Sequence, residues 1–357
     1  MFSNFFLKSF RILLLPFALI YWVIIATRNW MYDNKVFSST SFGLPVICVG
    51  NLSVGGTGKS PMVEYLLLLL KDRFLVATLS RGYKRKTKGY TLAGSHTTAL
   101  DIGDEPMQFH LKFPDVPVAV GEERIVAIPQ LLHDRPATQA IILDDAFQHR
   151  PIKAGLNIIL TEYGNLFTRD FYLPTGDLRD QKKSYKRADV IIVTKCPPQL
   201  SEIEKLKIKG EINPLPHQHI FFTAIQYGDI YHIKTNEPVQ LNEDKEVLLV
   251  TGIANPKPLK KMLEENCRSY SLLQYADHHI FTFDDLTEIK ERFNNFDHPD
   301  KFILTTEKDA VRLIKFENDI VGLPLYVIPV EHKFLFNEGA KFNLLAADFI
   351  INFKNKA

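Results

Sequence analysis

The stretch that most constrains the fold runs Val46-Ile47-Cys48-Val49-Gly50-Asn51-Leu52-Ser53-Val54-Gly55-Gly56-Thr57-Gly58-Lys59-Ser60-Pro61. An apolar β-type run breaks into glycines and then into Gly-Lys-Ser ahead of an apolar helix, the pattern of a phosphate-binding loop. Across Ser53, Val54, Gly55, Gly56, Thr57 and Gly58 the backbone N–H groups can turn inward around an anion. Lys59 reaches the β/γ-phosphates, Ser60 offers a hydroxyl to Mg²⁺, and the helix presents its positive N-terminus. Pro61 is tolerated because a first-turn residue has no intrahelical donor to lose. The G-x-x-x-x-G-K-[ST] pattern is incomplete, since Ser53 holds the first glycine position.

Downstream, helix-type and strand-type stretches alternate. Met62 to Leu70 reads as a buried helix, Phe74 to Leu79 and Val116 to Val120 as strands, Glu122 to His133 as a helix, and Ala140 to Leu143, Leu156 to Leu160 and Val190 to Thr194 as strands. This alternation predicts a P-loop NTPase-type, doubly wound, mainly parallel α/β sheet over 28–215, with ligands at the strand carboxyl ends. His219 to Ala224 and Ile230 to Ile233 read as a two-stranded connection over 216–235. A smaller α/β lobe follows over 236–357, with strands at Val247 to Val250 and Phe302 to Thr305 and helices at Pro258 to Glu265 and Asp284 to Phe293.

From Ile12 to Ala26 every residue is apolar, with Lys8 and Arg11 before the run and Arg28 after it. Fifteen helical residues reach only ~22 Å against a hydrocarbon core of ~30 Å, so 1–27 is expected as a membrane-attachment helix for which lying in or dipping into the interface fits as well as spanning. The 357 residues carry a formal net charge of +2, which argues against nucleic acid as a partner. Basic residues are nevertheless bunched at Arg81, Lys84, Arg85, Lys86 and Lys88 and at Lys182, Lys183, Lys186 and Arg187, where a surface of anionic lipid would attract them. Cys48, Cys196 and Cys267 lie far apart with no C-x-x-C, indicating neither a disulfide framework nor zinc. No protein partner is indicated.

Ile141-Ile142-Leu143-Asp144-Asp145 delivers two carboxylates at a strand end, where a nucleotide-bound metal belongs in such a fold. Gln148, His149 and Arg150 would extend a polar wall beside it. Gly103-Asp104-Glu105-Pro106 is a second acidic pair before a helix-like stretch, and Asp277-His278-His279 is a histidine pair without metal spacing.

Taken in order, Val49 to Pro61, Leu79-Ser80-Arg81-Gly82-Tyr83, Gly103 to Pro106, Asp144 to Arg150, Gly252-Ile253-Ala254-Asn255-Pro256, Asp277 to His279 and Thr306-Glu307-Lys308-Asp309-Ala310 resemble the tetraacyldisaccharide 4′-kinase family of lipid A synthesis. The resemblance implies transfer of the ATP γ-phosphoryl group to the 4′-hydroxyl of a tetraacylated glucosamine disaccharide 1-phosphate. It also implies Mg²⁺ and a place on the cytoplasmic face of the bacterial inner membrane. Carried over motif by motif, Lys59 holds phosphates, Ser60, Glu105, Asp144 and Asp145 fall in the metal region, Arg124 faces phosphate, and Asp104 with His278 resembles a catalytic dyad. Because His278 falls in the second lobe, closure of the lobes is expected to complete the site. Ala146 stands where the family commonly has glycine, which leaves the local turn open.

Two other classes fit less well. Partitioning-type membrane ATPases place a lysine where this chain has Val54. A membrane-associated GTPase switch would need an aspartate after Thr194-Lys195, where Cys196-Pro197 follows instead.

Overall fold

The computed structural model describes residues 11–316 and 318–353. Residues 1–10 of the expected attachment segment, Lys8 included, lie outside the described residues.

Eight strands build most of the larger sheet: β1 (Val46–Asn51), β2 (Val76–Ser80), β3 (Thr91–Leu92), β4 (Val118–Val120), β5 (Ala140–Asp144), β6 (Leu156–Glu162), β7 (Val190–Thr194) and β8 (His219–Tyr227). Next come β9 (Ile230–His232), β10 (Pro238–Val239), β11 (Glu246–Thr251), β12 (Ser269–Gln274), β13 (Lys301–Thr306), β14 (Leu325–Ile328) and β15 (Val330–Phe334). The larger sheet has the order β15-β8-β7-β6-β1-β5-β2-β4-β3 and is parallel except at its edge strands β3 and β15. In the smaller sheet the order is β10-β9-β14-β13-β11-β12. The chain therefore has the expected α/β architecture of a doubly wound, mainly parallel sheet with a smaller α/β sheet beside it.

β1 is buried along its whole length, as a central parallel strand covered on both faces must be. Its alternate residues feed opposite faces: Val46 and Cys48 join one apolar cluster, Ile47 and Val49 the other. The helix Lys59–Leu70 closes the second face with Leu66, Leu67 and Leu70, each worth roughly 1.5–3 kcal/mol relative to exposure. Since β5 and β6 flank β1, the phosphate-type loop emerges at a topological switch point, with Val49 in register with Asp144.

The expected connection over 216–235 is not a pair of strands on its own. β8 extends the larger sheet parallel to β7, whereas β9 pairs with β14 and β10 in the smaller one. The stretch 236–357 is not wholly the smaller lobe either. β15 crosses back to pair with β8, and the helix Gly339–Ile351 buries Phe342, Ala346 and Ile350 in the same cluster as the Lys59–Leu70 helix. An amphipathic strand and helix carry no local mark of which sheet they will join.

The apolar N-terminal run forms a helix, Leu15–Asp33, after a 3₁₀ turn at Ile12–Leu14 that brings Pro16 into the first α-turn. It outlasts the apolar run, and the expected boundary at residue 27 falls inside it. The part beyond is built into the larger lobe: buried Asn29 Nδ2 donates to Asp180 Oδ1 at 2.8 Å, Arg28 donates to the Gln148 carbonyl at 2.9 Å, and Arg150 reaches Asp33 at 2.7 Å.

A buried charge cluster joins the two sheets. Lys112 Nζ lies 2.7 Å from Glu64 on the Lys59–Leu70 helix and 2.6 Å from Glu307, the first residue of the helix Glu307–Leu313. Burial, reinforced by the Glu307 charge, pushes Glu64 up to about 7 against the pull of Lys112. A carboxyl raised in the folded state adds stability that is complete below its unfolded value, about 4.3, and is lost as pH rises through about 7. Glu64→Gln is therefore expected to flatten the fall in Tm between about pH 5 and about pH 8. Melts with the parental slope would contradict this.

Candidate active site

The loop after β1 is stitched down on both sides. Arg179 N donates to Leu52 O at 2.9 Å and Val54 N to Asp177 O at 2.7 Å, while the Thr194 hydroxyl donates to Thr57 O at 2.9 Å. The Thr57 hydroxyl accepts from Asn51 Nδ2 at 2.9 Å. Gly58 caps the following helix at φ +88°, where a side chain would be strained, and an added Cβ would meet His332 Cε1 at 2.9 Å. That histidine, from β15, donates Nε2–H to Gly58 O at 2.8 Å and accepts from the Thr223 hydroxyl at Nδ1 (2.9 Å). Burial holds it neutral, with its pKa down at about 4.

Beside the loop, Lys59 Nζ lies 3.9 Å from Asp145 Oδ1. Burial lowers the Lys59 pKa, opposed chiefly by Asp145. Asp145 takes both nitrogens of the Arg179 fork, and Arg179 also grips Asn51 Oδ1. Burial works to raise Asp145, but Lys59 and Arg179 together hold it below the usual carboxylate range. Asp144 is short of positive charge: burial and the Asp145 charge push it up to about 7. Glu105 lies near enough for its charge to act on both Lys59 and Asp144. Arg124 opens the helix Arg124–Asp134, buried, with Nη2 3.3 Å from Asp145 O and no hydrogen-bond partner at Nε among the described residues.

The turn at Ala146 is settled by its neighbour, since the left-handed residue there is Asp145 (φ +48°) and an alanine fits the next position. Of the expected polar wall, Gln148 Nε2 donates to Asn51 O at 2.7 Å, and half-buried His149 turns in a buried Nε2 that has no hydrogen-bond partner among the described residues. Arg150 instead turns away to hold the N-terminal helix.

The oxygen donors here, a serine hydroxyl and carboxylates, suit a hard divalent cation. Among the described residues no group of three or more His, Cys, Asp or Glu side chains is set to hold a metal alone. That fits an ion shared with nucleotide phosphates rather than caged by protein.

Asp104 begins the helix Asp104–Lys112 behind Gly103, whose φ of +93° suits glycine. Its Oδ2 lies 3.0 Å from His278 Nδ1 and 2.6 Å from Arg312 Nη2. Burial alone would raise Asp104, but Arg312 and then His278 outweigh it and hold the carboxyl below its usual range. Lys308 Nζ donates to His278 Nε2 at 3.0 Å. Lysine can only donate, so with Nε2 as the acceptor Nδ1 carries the proton given to Asp104, and the 3.1 Å approach of Arg312 Nη2 to Nδ1 is that of two donors sharing Asp104 Oδ2. The two lobes thus already meet at this pair, and no closure is needed to join Asp104 to His278.

Residues 10–349 match the family model described as Tetraacyldisaccharide-1-P 4′-kinase. The chain belongs to that family. It is 43% identical over 340 residues to the tetraacyldisaccharide 4′-kinase of Bacteroides fragilis strain YCH46, covering 92% of this chain and 90% of that one. With the Flavobacterium johnsoniae protein of the same name it shares 44% over 342 residues, covering 95% and 97%. Among solved structures it is similar to the "apo" form of LpxK from Aquifex aeolicus in complex with ATP, with TM-score 0.73, 28% identity and coverage of 94% and 98%. The chain is accordingly an ATP-dependent lipid kinase that phosphorylates the 4′-hydroxyl of a tetraacylated glucosamine disaccharide 1-phosphate in lipid A synthesis. The ATPase and GTPase readings fall away.

Sequence reasoning did not single out Arg179, Arg312 or His332. Lys308 lies inside a quoted motif and Arg312 one helical turn after it, a signal that could have found the pair. His332, in the strand VEHKF, had none.

Proposed function

We propose that Asp104 is the base that takes the proton of the 4′-hydroxyl as the new phosphate ester forms, with His278 orienting it. The observation carrying this reading is the 3.0 Å contact between Asp104 Oδ2 and His278 Nδ1 across the two lobes. A sugar hydroxyl is a poor nucleophile at neutral pH, so a carboxylate must accept its proton in the transition state. Lys59 and the backbone from Ser53 to Gly58 hold the phosphates, and Arg124, whose buried Nε has no partner among the described residues, faces the same anion. Ser60, Glu105, Asp144 and Asp145 would hold Mg²⁺, which when bound neutralises charge on the phosphates. Asp104→Asn is expected to bind a fluorescent ATP analogue like the parent while its kcat falls roughly 10²–10⁴-fold. Lost nucleotide binding would instead place Asp104 in the ATP site.

The reading extends to the membrane. Ile12, Leu13, Leu15, Phe17, Leu19, Ile20, Val23 and Ile24 are exposed along one helix, an apolar surface far larger than scattered exposure accounts for. We place it in the cytoplasmic leaflet of the inner membrane, where the acylated substrate resides, with exposed Arg81, Lys84, Lys86 and Lys183 near anionic headgroups. Arg85 and Arg187 are taken up by protein contacts with Glu122 and Asp180. Deleting residues 1–27 is expected to release most of the protein from membranes, with residual binding weakened by high salt. Sedimentation with membranes as complete as for the intact chain, at low and high salt, would contradict attachment through this helix.

A further inference from the structure

We propose that Arg312 is the positioning residue of the base: it grips one carboxylate oxygen of Asp104 so that the other, Oδ1, is presented to the acceptor hydroxyl. The proposal rests on the reading of Asp104 as the proton acceptor. Arg312 Nη2 and His278 Nδ1 converge on the same atom, Oδ2, at 2.6 and 3.0 Å. Among the described residues nothing donates to Oδ1, which leaves it the free lone-pair donor. Two donors on one oxygen fix both the position and the rotation of a carboxylate, which a single contact would not.

Arg312 is itself held still. Its side chain is only 6% exposed, and Nη1 lies 3.2 Å from Oδ1 of the fully buried Asp309. The other oxygen of Asp309 accepts from the Thr251 hydroxyl (3.0 Å), Gly252 N (3.1 Å) and the Thr306 hydroxyl (2.7 Å). The guanidinium is thereby tied to the carboxyl ends of β11 and β13, a rigid mount. Lys308 and Arg312, four residues apart, share one helix face, so a single turn of the smaller lobe serves both His278 and Asp104.

A purely structural ion pair explains this poorly. The helices Asp104–Lys112 and Glu307–Leu313 run antiparallel and are already clamped at their far end by Lys112 and Glu307. Buried ion pairs add little net stability, because desolvation offsets the attraction. A second clamp on the one carboxylate facing the reaction is accounted for by positioning. In the step, the acceptor oxygen bonds to the γ-phosphorus, the bond from that phosphorus to the ADP oxygen breaks, and the hydroxyl proton moves to Asp104 Oδ1. Arg312 keeps its proton throughout.

The test uses the full chain in detergent micelles with ATP and the lipid acceptor. Arg312→Ala is expected to lower kcat roughly 10–10²-fold with both KM values within about twofold, and to add little on top of Asp104→Asn. Guanidinium at millimolar concentration, far below the molar range that unfolds proteins, should restore part of the kcat of Arg312→Ala and none of that of Asp104→Asn. Should Arg312→Ala fail to fold, Arg312→Lys keeps the charge but cannot bridge Asp104 and Asp309 as a fork, and its kcat should also fall. Parental kcat in either folded variant, or a folded Arg312→Ala that ignores guanidinium, overturns the proposal while leaving the base intact. Parental kcat in Asp104→Asn overturns the base and the proposal together.

Discussion

Lys59→Ala is expected to lower kcat by roughly 10²–10³-fold or more, the loss that follows removal of one preorganised charge from a phosphoryl-transfer site. The side chain is pressed against the carboxylates rather than into an apolar cluster, 3.9 Å from Asp145. Its removal leaves Asp145 still paired with the Arg179 fork, and Asp144, already raised to about 7, can take up a proton once the Lys59 charge is gone, so the fold should survive. A Tm close to the parent's with that loss of turnover is the expected pair of results. Near-parental turnover would remove Lys59 from the phosphate site.

The second large effect concerns Asp104 and His278. Asp104→Ala is expected to cost roughly 10²–10⁴ in kcat with ATP affinity nearly intact, the range for a positioned general base. His278→Ala should cost less, since Arg312 still grips Oδ2 in its absence. Residues that act as one unit are not additive, so the double variant should be little worse than Asp104→Ala alone. A double-mutant cycle at saturating ATP and lipid measures this. Fully multiplicative losses would show two independent side chains.

How much was legible in the chain depends on how local the signal is. Parallel strands buried on both faces read as apolar runs, so β1, β5 and β7 were evident, and the glycines and Lys59 marked the loop between β1 and its helix. Asp104 and His278, 174 positions apart, were joined only through family resemblance, because no spacing rule links two lobes. Long-range pairing hid the rest. That β15 returns to β8, and that His332 thereby reaches Gly58, depends on a crossover whose end point no local pattern states. Arg179 was missed for a similar reason: it lies in a loop, and its meeting with Asp145 and Asn51 exists only once that loop folds back over β1.

Incubating the purified full-length protein with [γ-³²P]ATP, Mg²⁺ and the tetraacylated disaccharide 1-phosphate, then separating organic from aqueous phases, tests the central claim most directly. Label entering the organic phase as a 4′-phosphomonoester, at a rate cut roughly 10²-fold or more by Lys59→Ala and by Asp104→Ala, is the predicted result. Label released only as free aqueous phosphate, at a rate indifferent to the lipid, would contradict it.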